Sequence, residues 1–227
     1  KQAQRDFVAN VSHDLKTPLT AITGWSQALL DGAADAPAER ERAAATIHDE
    51  ANRMARLVNE LLDLARLESG QLQMNMRRLD LGEVLADVHR SQLPQARARN
   101  IDLALDTAPT PGVLGDRDRL IQIFTNLADN ALAYTPAGGT VQLATRTANG
   151  WVEGIVADSG PGIPTEDLPY IFDRFYRGDK ARAADGASGL GLAIARSLVE
   201  AHGGQLTAEN VPSGGACFTV SLPVEGE

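Results

Sequence analysis

The sequence predicts two parts: an antiparallel α-helical hairpin over residues 1–70, paired with a second copy into a dimeric four-helix bundle, and an α/β sandwich over 71–227. Three observations predict this. Residues 38–69 carry a heptad seam in which Ile47, Met54 and Leu61 fall seven apart, joined by Ala51, Val58 and Ala65 and widened by Leu57 and Leu64. Ser69-Gly70 then breaks the helix and begins a linker. From about residue 75 onward, helical and alternating apolar patterns take turns along the chain.

The elements follow in order. Residues 1–30 read as one helix, with Phe7, Val11, Leu15, Leu19, Ile22, Leu29 and Leu30 at three- and four-residue steps. Pro18 lies inside it, removes one backbone bond and predicts a bend. Gly32 stops this helix and Pro37 starts the next. A short loop between two long helices makes an antiparallel hairpin. One hairpin cannot cover so wide an apolar stripe, whereas two can, which predicts a homodimer. Further on, residues 82–99, 117–134 and 189–202 have helical patterns. Strand patterns occupy 101–105, 141–145 and 152–156 (the last two around Asn149-Gly150), and then 205–209 and 217–222. Residues 159–188, with four Gly and three Pro among several charges, read as a long mobile loop.

Bulk composition narrows the function. A length of 227 residues allows one large domain or two ordinary ones. Aromatics are only 4%, so the core must rest on Leu, Val, Ile and Ala. A net charge of −9 argues against a general nucleic-acid binder, so any phosphate site must be local. One cysteine, Cys217, rules out an intrachain disulfide framework and suits a reducing compartment. No run of about 18 apolar residues, long enough to span a membrane, occurs, and no signal peptide is expected. The chain opens without Met and already in helical pattern. It is therefore expected to be a fragment of a longer protein, with any membrane attachment made through a missing N-terminal part.

Five short segments carry chemistry. In Phe7-Val-Ala-Asn-Val-Ser-His13-Asp14-Leu-Lys-Thr17-Pro18-Leu, an imidazole has a carboxylate beside it and a hydroxyl four residues on. A neutral imidazole is a good nucleophile near neutral pH, and a carboxylate can hold one ring nitrogen while the other attacks. A lone helical histidine is more often structural. Asn126 and Asn130 fall on one helix face, where hard amide oxygens suit Mg²⁺ or simply a solvated surface. Asp158-Ser-Gly160-Pro-Gly162 follows a strand: the carboxylate can accept from an exocyclic amine such as that of adenine, or the segment can be a plain turn. Gly186-Ala-Ser188-Gly189-Leu190-Gly191 leads into a helix whose free N–H groups favour phosphate, although it matches neither a Walker loop nor a dinucleotide fingerprint. Ile171-Phe-Asp-Arg174-Phe-Tyr-Arg177 can dock through Phe172 and Phe175 and extend Arg174 and Arg177 to phosphates, or be a short amphipathic helix with surface Arg.

Together, in this order, these segments resemble the cytoplasmic catalytic core of sensor histidine kinases of two-component systems. The run around His13 is similar to the H box, Asn126–Tyr134 to the N box, Asp158–Gly162 to the G1 box, Ile171–Arg177 to the F box, Gly186–Gly191 to the G2 box, and Ser213–Phe218 to a final glycine box. The resemblance covers nearly the whole chain. It implies a dimerisation and histidine-phosphotransfer domain over 1–70 and an ATP-binding domain of the Bergerat fold over 71–227. It implies ATP-dependent phosphorylation of His13, with Asp14 orienting the ring and Thr17 serving dephosphorylation of a partner. Asn130 and Asn126 would hold Mg²⁺. Tyr134, Asp158, Gly160, Gly162, Ser188, Gly189, Leu190 and Gly191 would form the nucleotide site, and Arg174 and Arg177 would meet the transferred group.

The implied partner is a response-regulator receiver domain, and the implied location is the cytoplasmic portion of an inner-membrane receptor. Three positions depart from the family pattern. Ala133 stands where Lys or Arg is usual, which shifts phosphate contact onto Arg174, Arg177 and loop N–H groups. Ala216 replaces a frequent Thr or Ser, and Asp14 a more frequent Glu. Two rivals remain: an ATPase of the gyrase or chaperone class, and a non-catalytic dimeric scaffold.

Overall fold

The computed structural model describes residues 2–176, 189–212 and 214–224. Two helices come first, α1 (Gln2–Leu30) and α2 (Pro37–Glu68), packed along each other. The predicted stop and start signals act as expected. Gly32 takes a positive φ of 69°, and Pro37 occupies the first turn of α2, where its missing N–H costs nothing. At the other end of α2, Gly70 has φ 65°. Its N–H bonds the Leu67 carbonyl and the Gln71 N–H bonds the Arg66 carbonyl, the paired pattern that closes a helix at a left-handed residue.

Only part of the heptad seam is covered within one chain. Ala43, Leu57 and Leu64 are buried, and Ile47, Met54 and Leu61 half-buried. Ala51, Val58, Leu62 and Ala65 face outward, as does Leu19 on α1.

The second part adds β1 (Arg77–Leu79), α3 (Leu81–Ala98), β2 (Asp102–Thr107), β3 (Val113–Gly115), α4 (Arg117–Tyr134), β4 (Thr140–Ala148), β5 (Trp151–Asp158), α5 (Gly191–Ala201), β6 (Gln205–Asn210) and β7 (Ala216–Pro223). The main sheet has the order β2-β4-β5-β7-β6, with β2 and β4 parallel and the other neighbours antiparallel. The three helices cover one face. On α4 the buried positions Leu120, Ile123, Phe124, Leu127, Ala128, Ala131 and Leu132 step by three and four. On β5 every second residue is buried, from Val152 through Gly154 and Val156 to Asp158.

Two strands went unpredicted. β1 and β3 pair antiparallel as a separate three-residue ribbon, too short for a periodic pattern to show. The linker after Gly70 is also less free than its composition suggests. Leu72 packs against the core, and the Asn75 N–H bonds Asp116 Oδ2 at 2.8 Å. Of the expected mobile loop, residues 159–176 form successive turns rather than a helix, while 177–188 lie outside the described residues. Among the described residues no helix is long and apolar enough to cross a membrane.

Candidate active site

Asp158 occupies an inward-facing position at the end of β5, where alternation would ordinarily place an aliphatic residue. Its Oδ1 accepts from the Gly160 N–H at 2.8 Å and from the Ala216 N–H at 3.3 Å. Among the described residues Oδ2 takes no hydrogen bond. Burial pushes this carboxyl above its usual range, against the lowering effect of those two N–H bonds. A buried carboxylate fixed through one oxygen has its other oxygen available to an amine donor.

The surrounding backbone is tight. A Cβ on Gly160 would sit 2.8 Å from Asp158 Oδ1 and 2.9 Å from the carbonyl of Tyr134, the half-buried last residue of α4. Beyond Gly162, Asn210 on β6 accepts from the Ile163 N–H and donates to the Ile163 carbonyl, both at 2.7 Å, and so fixes the exit of this turn.

On α4, Asn126 and Asn130 are both half-buried, one turn apart, beside the apolar stripe. Asn126 Nδ2 donates to the Gly191 carbonyl at 3.1 Å, which ties α4 to the start of α5 and leaves the amide oxygen as an acceptor. Among the described residues no cluster of three His, Cys, Asp or Glu could hold a metal. An Mg²⁺ that keeps waters and bridges phosphates needs no such cluster, and one or two hard amide oxygens fit it. Ala133 is exposed on α4 and brings no cation.

Leu190 is wholly buried, so its side chain anchors α5 in the core and only its backbone can meet a ligand. Gly189 has φ 70°, and a Cβ there would lie 2.8 Å from Phe175 Cα; the Phe175 N–H bonds the Gly189 carbonyl at 2.9 Å. This stitches the 171–176 turns to the start of α5 through the backbone. Phe172 packs edge-on to Phe218, and Arg196 lies over its ring. Arg174 is exposed and lines an open groove of about 430 Å³ with Phe172, Arg196, Ser197 and Glu200 on the outer side of α5. Arg177 and Ser188 lie outside the described residues.

His13 lies on α1. Its side chain is 82% exposed, and Nδ1 lies 3.7 Å from Asp14 Oδ1, close enough to stabilise positive charge on the ring. The Thr17 hydroxyl donates to the His13 carbonyl at 3.3 Å. Pro18 is buried and, lacking an N–H, leaves the Asp14 carbonyl without its helical donor.

Three residues that sequence reasoning missed brace the site. Asp116 caps α4 through the N–H groups of Asp118 and Arg119 and also holds the linker at Asn75. Burial pushes the Asp116 carboxyl up, but these N–H groups and the Arg119 charge outweigh it and hold it below the usual range. His202, buried at the end of α5, accepts the Asp116 N–H at Nε2 and meets the Leu198 carbonyl through Nδ1. Asn210 is the third. Asp116 had a readable signal, an Asp directly before an amphipathic run. The roles of His202 and Asn210 depend on distant parts of the chain.

Two family models match this chain: the histidine kinase-, DNA gyrase B- and HSP90-like ATPase over residues 115–226, and the His Kinase A phospho-acceptor domain over residues 3–70. The chain belongs to the two-component sensor histidine kinases. The kinase core is 40% identical over 222 residues to the sensor-like histidine kinase SenX3 of Mycobacterium tuberculosis, covering 97% of this chain and 54% of SenX3. It thus spans about half the length of the curated relatives it matches. Its fold matches the histidine kinase AdeS of Acinetobacter baumannii at a TM-score of 0.77 and 26% identity, over 94% of this chain and 98% of that one. It also matches histidine kinase ThkA, solved in complex with the response regulator TrrA, at 0.75 and 26% identity over 99% and 64%. These neighbours carry the predicted architecture, a helical hairpin followed by a Bergerat-type sheet domain.

Proposed function

We propose that this chain transfers the γ-phosphoryl group of ATP to His13 and passes it on to an aspartate of a receiver domain. One observation carries the reading: the same chain holds a solvent-open imidazole beside a carboxylate and a buried aspartate, one oxygen held by backbone N–H groups, beside close-packed glycines. Within that reading, residues 1–70 form the phosphotransfer domain and 71–227 the ATP-binding domain.

Asp158 accepts the adenine amine through Oδ2, while Gly160, Gly162, Gly189, Leu190 and Gly191 let backbone approach the nucleotide. Tyr134 closes the end of α4 beside the base. Asn130, with Asn126 beside it, would hold Mg²⁺, which would supply charge neutralisation on the phosphates. The distal nitrogen of His13 attacks the γ-phosphorus in line; a nitrogen–phosphorus bond forms as the bond to the β–γ bridging oxygen breaks, and ADP leaves with that oxygen. Asp14 Oδ1, 3.7 Å from Nδ1, stabilises the positive ring by its charge. Arg174 and Arg177 serve the transferring oxygens, since Ala133 offers no cation.

The phosphoryl group then moves to a receiver carboxylate and His13 is regenerated. The ThkA–TrrA complex supports such a partner. Thr17, one turn beyond His13, supports a water-positioning role in the reverse, phosphatase direction. The uncovered stripe of Val58, Leu62, Ala65 and Leu19 supports a homodimeric four-helix bundle. An ATP-dependent reaction and a lone free cysteine suit the cytoplasm.

Radiolabelled ATP tests the reading. The chain should take alkali-stable, acid-labile label, and His13→Gln should abolish it. The thermal midpoint should not move, because a side chain so exposed contributes within about 0.5 kcal/mol. Free phosphate without labelled protein would instead support a plain ATPase.

A further inference from the structure

The turn after β5 carries two of the glycines assigned to the nucleotide, and its two ends are held differently. At the entry, the Ser159 N–H donates to the Thr140 carbonyl at 3.0 Å, and Ser159 Oγ accepts the Thr140 N–H at 2.8 Å. Past Ser159 the main chain leaves the sheet. Among the described residues, Gly160 to Ile163 make no backbone-to-backbone hydrogen bond. The exit is tied instead by the hydrogen bonds of one side chain. Asn210 Oδ1 accepts the Ile163 N–H and Asn210 Nδ2 donates to the Ile163 carbonyl, both at 2.7 Å. A primary amide presents an acceptor and a donor side by side, so it imitates the edge of a strand.

The neighbouring backbone is shaped to this contact. Gly162 has φ 73°, and a Cβ there would lie 2.8 Å from Asn210 Oδ1. Asn210 ends β6, and the chain beyond it returns to Asp158. The Val211 N–H bonds the Gly215 carbonyl at 3.0 Å, a Cβ on Gly215 would overlap the Asp158 carbonyl, and the Ala216 N–H reaches Asp158 Oδ1. The β5 turn therefore meets the end of β6 and the start of β7 at two points, at Asp158 through backbone and at Ile163 through the Asn210 amide. Asn210 is exposed and lies outside the apolar core, so losing its two bonds should cost the fold little.

We infer that Asn210 is a positioning residue for the nucleotide: it sets ATP affinity by holding Gly160 to Ile163 in shape before the nucleotide arrives. It acts through the backbone of Ile163 rather than through contact with ATP. Without it the exit of the turn is free, and binding must order those residues, a cost that shows as lost affinity. The reacting atoms at His13 are untouched, so the loss falls on KM rather than on kcat. The inference rests on the ATP-binding reading above.

The test uses the whole 227-residue chain with Asn210→Ala and the isosteric Asn210→Asp. It measures amide hydrogen exchange at Ile163 without nucleotide, the Kd for a ribose-labelled fluorescent ATP, and the KM for ATP and kcat of His13 labelling. Asn210→Ala should speed Ile163 exchange at least about tenfold, while Val156 and Phe218, paired in the sheet, stay as protected as in the wild type. Kd and KM should both rise about five- to thirtyfold, with kcat changed less than about twofold. Asn210→Asp fills the same space but sets an oxygen against the Ile163 carbonyl, so its KM should rise as well. Affinity restored by the aspartate would show that Asn210 only fills space and would overturn the inference. Unchanged exchange, faster exchange with an unchanged Kd, or a lower kcat with KM unmoved would each overturn it too. A wild-type chain that binds no ATP would sink the nucleotide reading instead, and exchange at Ile163 would still decide whether Asn210 holds the turn.

Discussion

Asp158→Asn separates holding the fold from reading the nucleotide. The asparagine keeps an oxygen where Oδ1 accepts from Gly160 and Ala216, so the turn after β5 should survive. Its amide nitrogen replaces Oδ2 and turns an acceptor into a donor, facing the donor amine of adenine. A hydrogen bond to a charged group is worth about 1.5–3 kcal/mol. At about 1.4 kcal/mol per tenfold, its loss weakens binding roughly 10- to 150-fold. The expected result is that rise in Kd for a ribose-labelled fluorescent ATP, with an unfolding transition as cooperative as that of the wild type. Discrimination against GTP should fall as well, because the new donor suits the carbonyl that guanine carries where adenine has its amine. Unchanged affinity in a folded variant would refute the reasoning.

The same substitution makes a pH prediction. Burial raises the Asp158 pKa in the fold, so folded protein binds that proton more tightly than unfolded chain. The charged carboxylate costs stability, and this cost sets in as pH climbs from the ordinary carboxylate value, about 4, through the raised one. Asp158→Asn does not titrate there. Denaturant midpoints of variant relative to wild type should rise over that window.

Asp116 works in the opposite sense. Its carboxyl is held below the usual range, so its contribution is present above the ordinary carboxylate value and lost as pH falls through the depressed one. Asp116→Ala removes the α4 cap and the bond to Asn75; urea unfolding at neutral pH should show a loss of about 1–2 kcal/mol, and the difference from wild type should shrink in acid. Gly154→Ala tests packing alone. The new methyl would overlap the Phe124 ring and lie 3.2 Å from a Leu81 methyl, so thermal or urea unfolding should report a loss of about 1–3 kcal/mol, with ATP affinity retained in the folded fraction.

The helical hairpin and α4 were legible because their signals are local. Gly32, Pro37 and Gly70 act through their own backbone angles, and the three-four stepping of Leu120 to Leu132 marks a buried face without reference to any partner. Asp158 was less legible: the sequence ended its strand at 156 and left a turn or an amine acceptor open, and only the fold extends β5 to place the carboxylate in the inward register. Ala216 shows the limit of reading side chains: its N–H, not its methyl, meets Asp158, so the departure from the family pattern leaves that bond intact. β1 and β3 were not legible, because three residues cannot display a period.

By itself the sequence determined the order of most elements, the turns that end them, and the placing of His13 beside Asp14; the assignment of glycines and Asp158 to a nucleotide site came from the family resemblance. The first three follow from periodicity, turn chemistry and side-chain type, which act over a few residues. Only the tertiary structure decided that Asp158 commits one oxygen to backbone and leaves the other open. Only it showed that His202 and Asn210 brace the cleft from far along the chain, and that Asp63 meets Arg119 across the two halves. A charged residue on a helix looks the same in sequence whether it faces water or a partner 56 residues away. Burial and a fixed acceptor give such a residue its role, and both are made by the packing of the whole chain.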